Sequence, residues 1–143
     1  AAKVRFFALG QKAWGINNLL SICNFTSVPI HAMTFRNLVE AVRAVTGWDT
    51  SLYEIMLAVE RSMVMSRMFN LREGLGPEDD RVIRRWHEAM PGGPLQGRKI
   101  DEREFRRAVG LFYELSGWDP QGRPTFGKLV ELNLEWLQSE IPG

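Results

Sequence analysis

The sequence predicts an all-α fold, an irregular bundle of about five to six helices, on three observations. Apolar residues recur with the helical period in every long segment, strand-type alternation is scarce, and helix start signals precede several of the apolar stripes. At 143 residues with 45% hydrophobic content, the chain has enough material for one sizeable core and too little to expect two, so residues 1–143 are read as a single domain.

In chain order, Ala1-Ala2-Lys3-Val4-Arg5-Phe6-Phe7 lacks a starting methionine and is not followed by a secretory signal pattern. It reads as the interior of a longer protein. Ile16, Leu19, Leu20 and Cys23 share a helical face, and this helix is expected to stop between Asn24 and Met33, where Pro29 restricts the backbone. Cys23 is therefore expected near a helix end, on the helix itself. Thr34 is the N-cap expected for a second helix burying Phe35, Leu38, Val39, Val42 and Val45, closed by Gly47. Ser51 and Glu54 have capping-box spacing and open a third helix carrying Leu52, Ile55, Met56, Val59 and Met63, about 18 residues or ~27 Å long.

From Asn70 to Gly97 glycine, proline and acids predict mostly loop, with one short helix around Asp80 to Met90. Asp101 and Glu104 start the next helix, which buries Phe105, Val109, Phe112 and Leu115 and ends at Gly117. A last helix from Thr125 aligns Phe126, Leu129, Val130, Leu134, Leu137 and Ile141, with Leu132 and Trp136 widening the stripe. The tripeptide Gly-Trp-Asp occurs at Gly47-Trp48-Asp49 and again at Gly117-Trp118-Asp119. Each copy predicts a corner in which Gly takes positive φ, Trp folds back on the helix and Asp accepts turn hydrogen bonds.

Eighteen basic and seventeen acidic residues leave a formal charge of +1, which supplies no broad field for nucleic acid or an anionic membrane. Glu60, Arg61 and Arg67 interrupt the apolar run Ile55 to Met68 well short of the ~20 residues of a membrane span. With Cys23 alone, no internal disulfide forms, which fits a reducing compartment, the cytoplasm by default.

Taken as residues alone, Cys23 on an apolar face reads as a small buried hydrophobe, and one thiol cannot build a metal site. His31 and His87 have no paired-ligand spacing and read as surface or packing residues. The Arg84-Arg85 and Arg103-Arg106-Arg107 groups are interleaved with Glu88, Glu102 and Glu104, so they read as a solvated mixed-charge surface. Met56, Met63, Met65 and Met68 read as core.

A set of motifs in order points further. Asn18-Leu19-Leu20-Ser21-Ile22-Cys23, with Asn24-Phe25-Thr26, resembles the D-x-x-G-L-C segment and trailing Phe-Thr of aldehyde:ferredoxin oxidoreductases. Val45 to Asp49, Glu60-Arg61, Phe69 to Gly74, Tyr113 to Asp119 and Gly122 to Thr125 continue the resemblance to the C-terminal third of that family. It implies the C-terminal, cofactor-capping helical domain of a larger enzyme, inactive by itself.

By that resemblance Cys23 is the fourth ligand of a [4Fe-4S] cluster, and the segment Asn18, Ser21, Ile22 and Cys23 binds a tungsten or molybdenum bis-pterin. Both cofactors are shared with upstream domains. Asn18 stands where the family has Asp, exchanging a charge for an amide, and Ser21 stands where it has Gly. The implied activity is anaerobic oxidation of aldehydes to carboxylates, with electrons passed to ferredoxin or a similar carrier and the acid-base residues lying upstream. A related branch reduces aromatic acyl-CoA rings of the benzoyl-CoA type. A cofactor-free helical interaction module is the alternative of another class, and the two classes differ in whether Cys23 is sealed within its own domain or faces outward.

Overall fold

The computed structural model describes residues 1–26 and 33–140. Among the described residues there are five α-helices: α1 (Ala2–Leu19), α2 (Phe35–Thr46), α3 (Leu52–Arg72), α4 (Glu102–Ser116) and α5 (Phe126–Glu131). Short 3-10 turns occur at Asn24–Thr26, Arg84–His87 and Glu135–Glu140. Among the described residues the only β-type pairing is one bridge between Trp118 and Pro124, so the all-α expectation holds.

Local chemistry sets the ends of α2, α3 and α4. Thr34 and Asn37 form a reciprocal capping box, as do Ser51 and Glu54, and Asp101 accepts from the Glu104 N–H. Hydrogen bonds from Ser51 hold the Glu54 carboxyl below its ordinary pKa, and the Glu104 N–H does the same for Asp101. Gly47 and Gly117 stop α2 and α4 in the left-handed conformation.

The 21-residue α3 is the spine. Its first half packs Ile55 and Val59 with Ile16 of α1 and Leu38 of α2; its second half packs Val64, Met68 and Leu71 with Leu129, Leu132, Leu134 and Leu137. Burying each such aliphatic side chain contributes about 1.5–3 kcal/mol. Two clusters on one helix thus hold both ends of the chain together.

Several expectations require correction. The first helix ends at Leu19, before Cys23, because Ser21 takes positive φ; the expected role of Pro29 lies outside the described residues. No helix forms over Asp80 to Met90 beyond the turn at Arg84–His87, since Ile83, Trp86 and Met90 find no core and the Trp86 carbonyl accepts from the Ile100 N–H. The last helix breaks after Glu131, where Leu132 and Leu134 turn inward around Asn133 at φ 54, so Phe126 and Val130 are left exposed. Ile141 lies outside the described residues. Phe35 and Val45 of α2, Leu115 of α4 and Met65 of α3 are likewise exposed, not core.

Candidate functional site

At its C-terminus α1 forms a tight stop of the Schellman type. The Ser21 N–H donates to the Asn18 carbonyl at 3.2 Å and the Ile22 N–H to the Asn17 carbonyl at 2.8 Å. Ser21 occupies the left-handed position at φ 56, which glycine takes without penalty and other L-residues take at a cost of roughly 1–2 kcal/mol. The motif glycine expected there thus has a backbone reason, and serine fills the same conformation.

Of the four residues singled out from sequence, Asn18, Ser21 and Cys23 are exposed, while Ile22 folds inward against the cluster of Ile16, Leu38, Ile55 and Val59. Ile22 is therefore an anchor, and Cys23 follows it directly, outside any helix and open to solvent. That corrects the expectation of a buried thiol: the chain leaves α1 before Cys23, so the apolar helical face ends one turn too early to cover it. The Cys23 carbonyl accepts from both the N–H and the hydroxyl of Thr26, at 3.0 and 2.7 Å, which fixes the backbone beyond the thiol. Next to it, Oδ1 of Asn24 is buried without a partner. Asn18 and Leu19 also line one end of an open trough of about 1070 Å³ between α1, α3 and α4, walled by aromatic residues that include Phe7, Trp14, Phe105 and Phe112.

Among the described residues no group of three or more His, Cys, Asp or Glu side chains is arranged to hold a metal ion. An outward thiol on a fixed backbone therefore fits one position of a metal centre completed by other ligands, and does not fit a self-contained site. His87 packs instead: its Nδ1 lies 2.8 Å from the Ile100 carbonyl and its ring meets Phe105 edge-on. His31 lies outside the described residues.

Sequence reasoning expected Glu60 and Arg61 to pair around the third helix and missed the partners that make them a clamp. Nζ of Lys12 in α1 is 2.6 Å from Oε1 of Glu60 in α3, which also lies 3.6 Å from Nζ of Lys128 in α5. Arg61 donates from Nε to the Leu132 carbonyl at 2.8 Å. The Glu60-Arg61 pair, noticed as a motif, thus joins three helices. A glycine in mid-helix, Gly15, was the available signal for the close crossing of α1 and α3 at Val59.

A family model described as "Aldehyde ferredoxin oxidoreductase, domains 2 & 3" matches residues 1–134. A tungsten-containing aldehyde ferredoxin oxidoreductase of Pyrococcus abyssi is 33% identical over 135 residues, 93% of this chain and 21% of the relative. The protein of that name from Pyrococcus furiosus is 31% identical over 134 residues, 92% and 21% of the two chains. A subunit of the same organism named "Aliphatic sulfonate oxidoreductase, WOR-like subunit" is 25% identical over 127 residues, 84% and 20% of the two. These relatives are named as oxidoreductases, and the portion that matches here is all-α among the described residues. The chain belongs to the aldehyde ferredoxin oxidoreductase family and spans about a fifth of the length of these relatives.

Proposed function

We propose that residues 1–143 form the C-terminal domain of a tungsten-pterin, [4Fe-4S] oxidoreductase that oxidises aldehydes to carboxylates, with Cys23 as the fourth cluster ligand. The observation that carries this reading is the thiol itself, turned outward on a backbone fixed by the Ser21 stop on one side and Thr26 on the other. An interaction module with a sealed cysteine predicts the opposite placement. Thiolate softness suits iron, and three further thiolates come from upstream domains of the same chain.

Asn18 and Ser21 present an amide and a hydroxyl on the same exposed stretch, and they are assigned to the pterin's polar edge; Ile22 holds that stretch to the core. The uncharged Asn18 binds less strongly than a carboxylate would to a protonated ring edge. When bound, the tungsten-pterin supplies the oxidation of the aldehyde carbon, with oxygen from water, and the cluster conducts the two electrons to ferredoxin or a similar carrier. This chain's part is to hold one iron through Cys23 and to meet the pterin's polar edge with Asn18 and Ser21. Acid-base groups upstream and a cytoplasmic location are part of the same proposal. Among the described residues no helix is long and apolar enough to cross a membrane.

The test is the full-length protein, purified anaerobically, with tungsten and iron determined and aldehyde-dependent reduction of ferredoxin measured. Cys23→Ala is expected to lower the iron content from about four toward about three per cluster and to abolish electron transfer while tungsten stays bound. Full iron occupancy in Cys23→Ala, or no aldehyde-dependent turnover in the unmodified protein, refutes the assignment.

A further inference from the structure

Glycine inside a helix is unfavourable relative to alanine because it adds backbone entropy to the unfolded chain. Helix α1 contains two, Gly10 and Gly15. They differ in surroundings. A Cβ added at Gly10 meets nothing within 4 Å, whereas one at Gly15 collides with Cγ1 of Val59 in α3. The two helices touch there with no side chain between them on the α1 side.

Val59 is buried in the cluster that contains Ile16, the residue after Gly15, so the crossing cannot slide without opening that cluster. One turn earlier the Lys12–Glu60 ion pair at 2.6 Å spans the same two helices, with both side chains largely buried. From Gly15 to the last helical residue, Leu19, is about 6 Å along the axis. The stop at Ser21 and the inward anchor Ile22 then follow directly, up to Cys23. No loose segment separates the crossing from the thiol, so a displacement of α1 at Gly15 is passed on to Cys23.

We infer that Gly15, Val59 and Glu60 are positioning residues for Cys23: the close helix crossing and its ion pair set how far the thiol projects toward the cluster. This rests on Cys23 being a cluster ligand, and it assigns a role to residues that touch neither cluster nor substrate.

The experiment uses the full-length protein, purified anaerobically, and reads iron per cluster together with the electron paramagnetic resonance signature that separates three-iron from four-iron clusters. Gly15→Ala is expected to lower the content from about four irons per cluster toward about three, the result also expected for Cys23→Ala. Gly10→Ala, the same substitution on the same helix, is expected to leave it unchanged. The double variant Gly15→Ala/Val59→Ala removes the colliding Cγ1 and leaves the two Cβ positions 3.6 Å apart, an ordinary contact, so it is expected to restore the fourth iron. Glu60→Gln weakens the ion pair and is expected to give a partial loss.

A Gly15→Ala protein of lowered melting temperature that keeps all its iron overturns the inference, because a purely structural role predicts that result. So does a folded double variant that remains three-iron, which is also the deciding measurement if Gly15→Ala alone does not fold. Failure of the underlying assignment looks different: Cys23→Ala then retains the full cluster, or the unmodified protein contains no iron, and both ideas fall together.

Discussion

After α2, Gly47 turns the chain at φ 73; after α4, Gly117 turns it at φ 71. Each is followed by Trp and Asp, and each helix is closed by the same left-handed glycine. Beyond that the two corners part. Trp48 is 69% exposed, and Asp49 reaches back only to Arg43, in an exposed pair at 3.2 Å. Trp118 lies half-buried against Phe112 and Tyr113, with the Arg67 guanidinium 5.3 Å from its ring. Asp119 accepts from the N–H groups of Gln121 and Arg123, and Thr125 donates back to the Gly117 carbonyl through both N–H and hydroxyl.

The difference lies in Arg67. Only 7% exposed, it donates to the Gly122 carbonyl at 2.8 Å, contacts the Tyr113 hydroxyl at 3.3 Å and pairs with Asp80 at 2.8 Å, while the Tyr113 hydroxyl donates to the same Asp80. One buried cation thus ties the second corner, the loop at Asp80 and α3 together. The expectation that tryptophan folds back on its helix was met where such a partner exists and failed at Trp48, where none does. The tripeptide specifies the turn; the neighbour decides what the turn holds.

The largest effect should come from the cation. Arg67→Ala leaves a partly exposed Asp80 with the Tyr113 hydroxyl alone and strips the Gly122 carbonyl of its donor, at an expected cost of about 3–4 kcal/mol, while Arg43→Ala at the first corner is expected to cost about 0–1 kcal/mol. Urea unfolding midpoints compare them, and equal costs would erase the distinction between the corners. Next, Trp118→Ala should lose roughly 3 kcal/mol and Trp48→Ala less than about 0.5 kcal/mol by the same measurement. A large loss at Trp48 in the full-length protein would mean that another part of the polypeptide covers it.

Smaller and more closely matched is the glycine pair. Both Gly47→Ala and Gly117→Ala force a left-handed L-residue, at about 1–2 kcal/mol each, and Gly117→Ala also presses on Lys128 Cε at 2.7 Å. Thermal unfolding should therefore rank Gly117→Ala as the costlier; the reverse order would place the strain at the exposed corner. The last effect shows only in alkali. Burial, and then the hydrogen bond to Asp80, raise the Tyr113 pKa to about 12, above its ordinary 10.0. Above pH 10 the unfolded chain releases this proton first, so the Tyr113 contribution is intact below pH 10 and is lost as pH rises from 10 toward 12. Tyr113→Phe should flatten the melting temperature over that interval, and an unchanged slope would remove Tyr113 from the account.

The site shows the same division. The stop after α1 was misplaced because apolar periodicity runs on through Leu20 to Cys23, whereas a single left-handed residue at Ser21 ends the helix; serine gives no local sign of that conformation. Resemblance pointed to Cys23, while its outward placement came from the tertiary structure, and periodicity alone predicted the reverse. Arg67 was read as one of three charges interrupting the apolar run Ile55 to Met68, since its pairing depends on Asp80, Tyr113 and Gly122, which are far away in the chain.

By itself the sequence determined the helices with complete local signals: the capping boxes at Thr34 and Ser51, the Asp101 cap and the glycine stops at Gly47 and Gly117, each of which is an exchange among residues within about four positions of one another. Only the tertiary structure decided which faces are covered, that Gly15 meets Val59, that Arg67 closes one corner and not the other, and that the Cys23 thiol points out. Burial and ion pairing at a distance depend on where remote segments arrive, and no short stretch of chain encodes that.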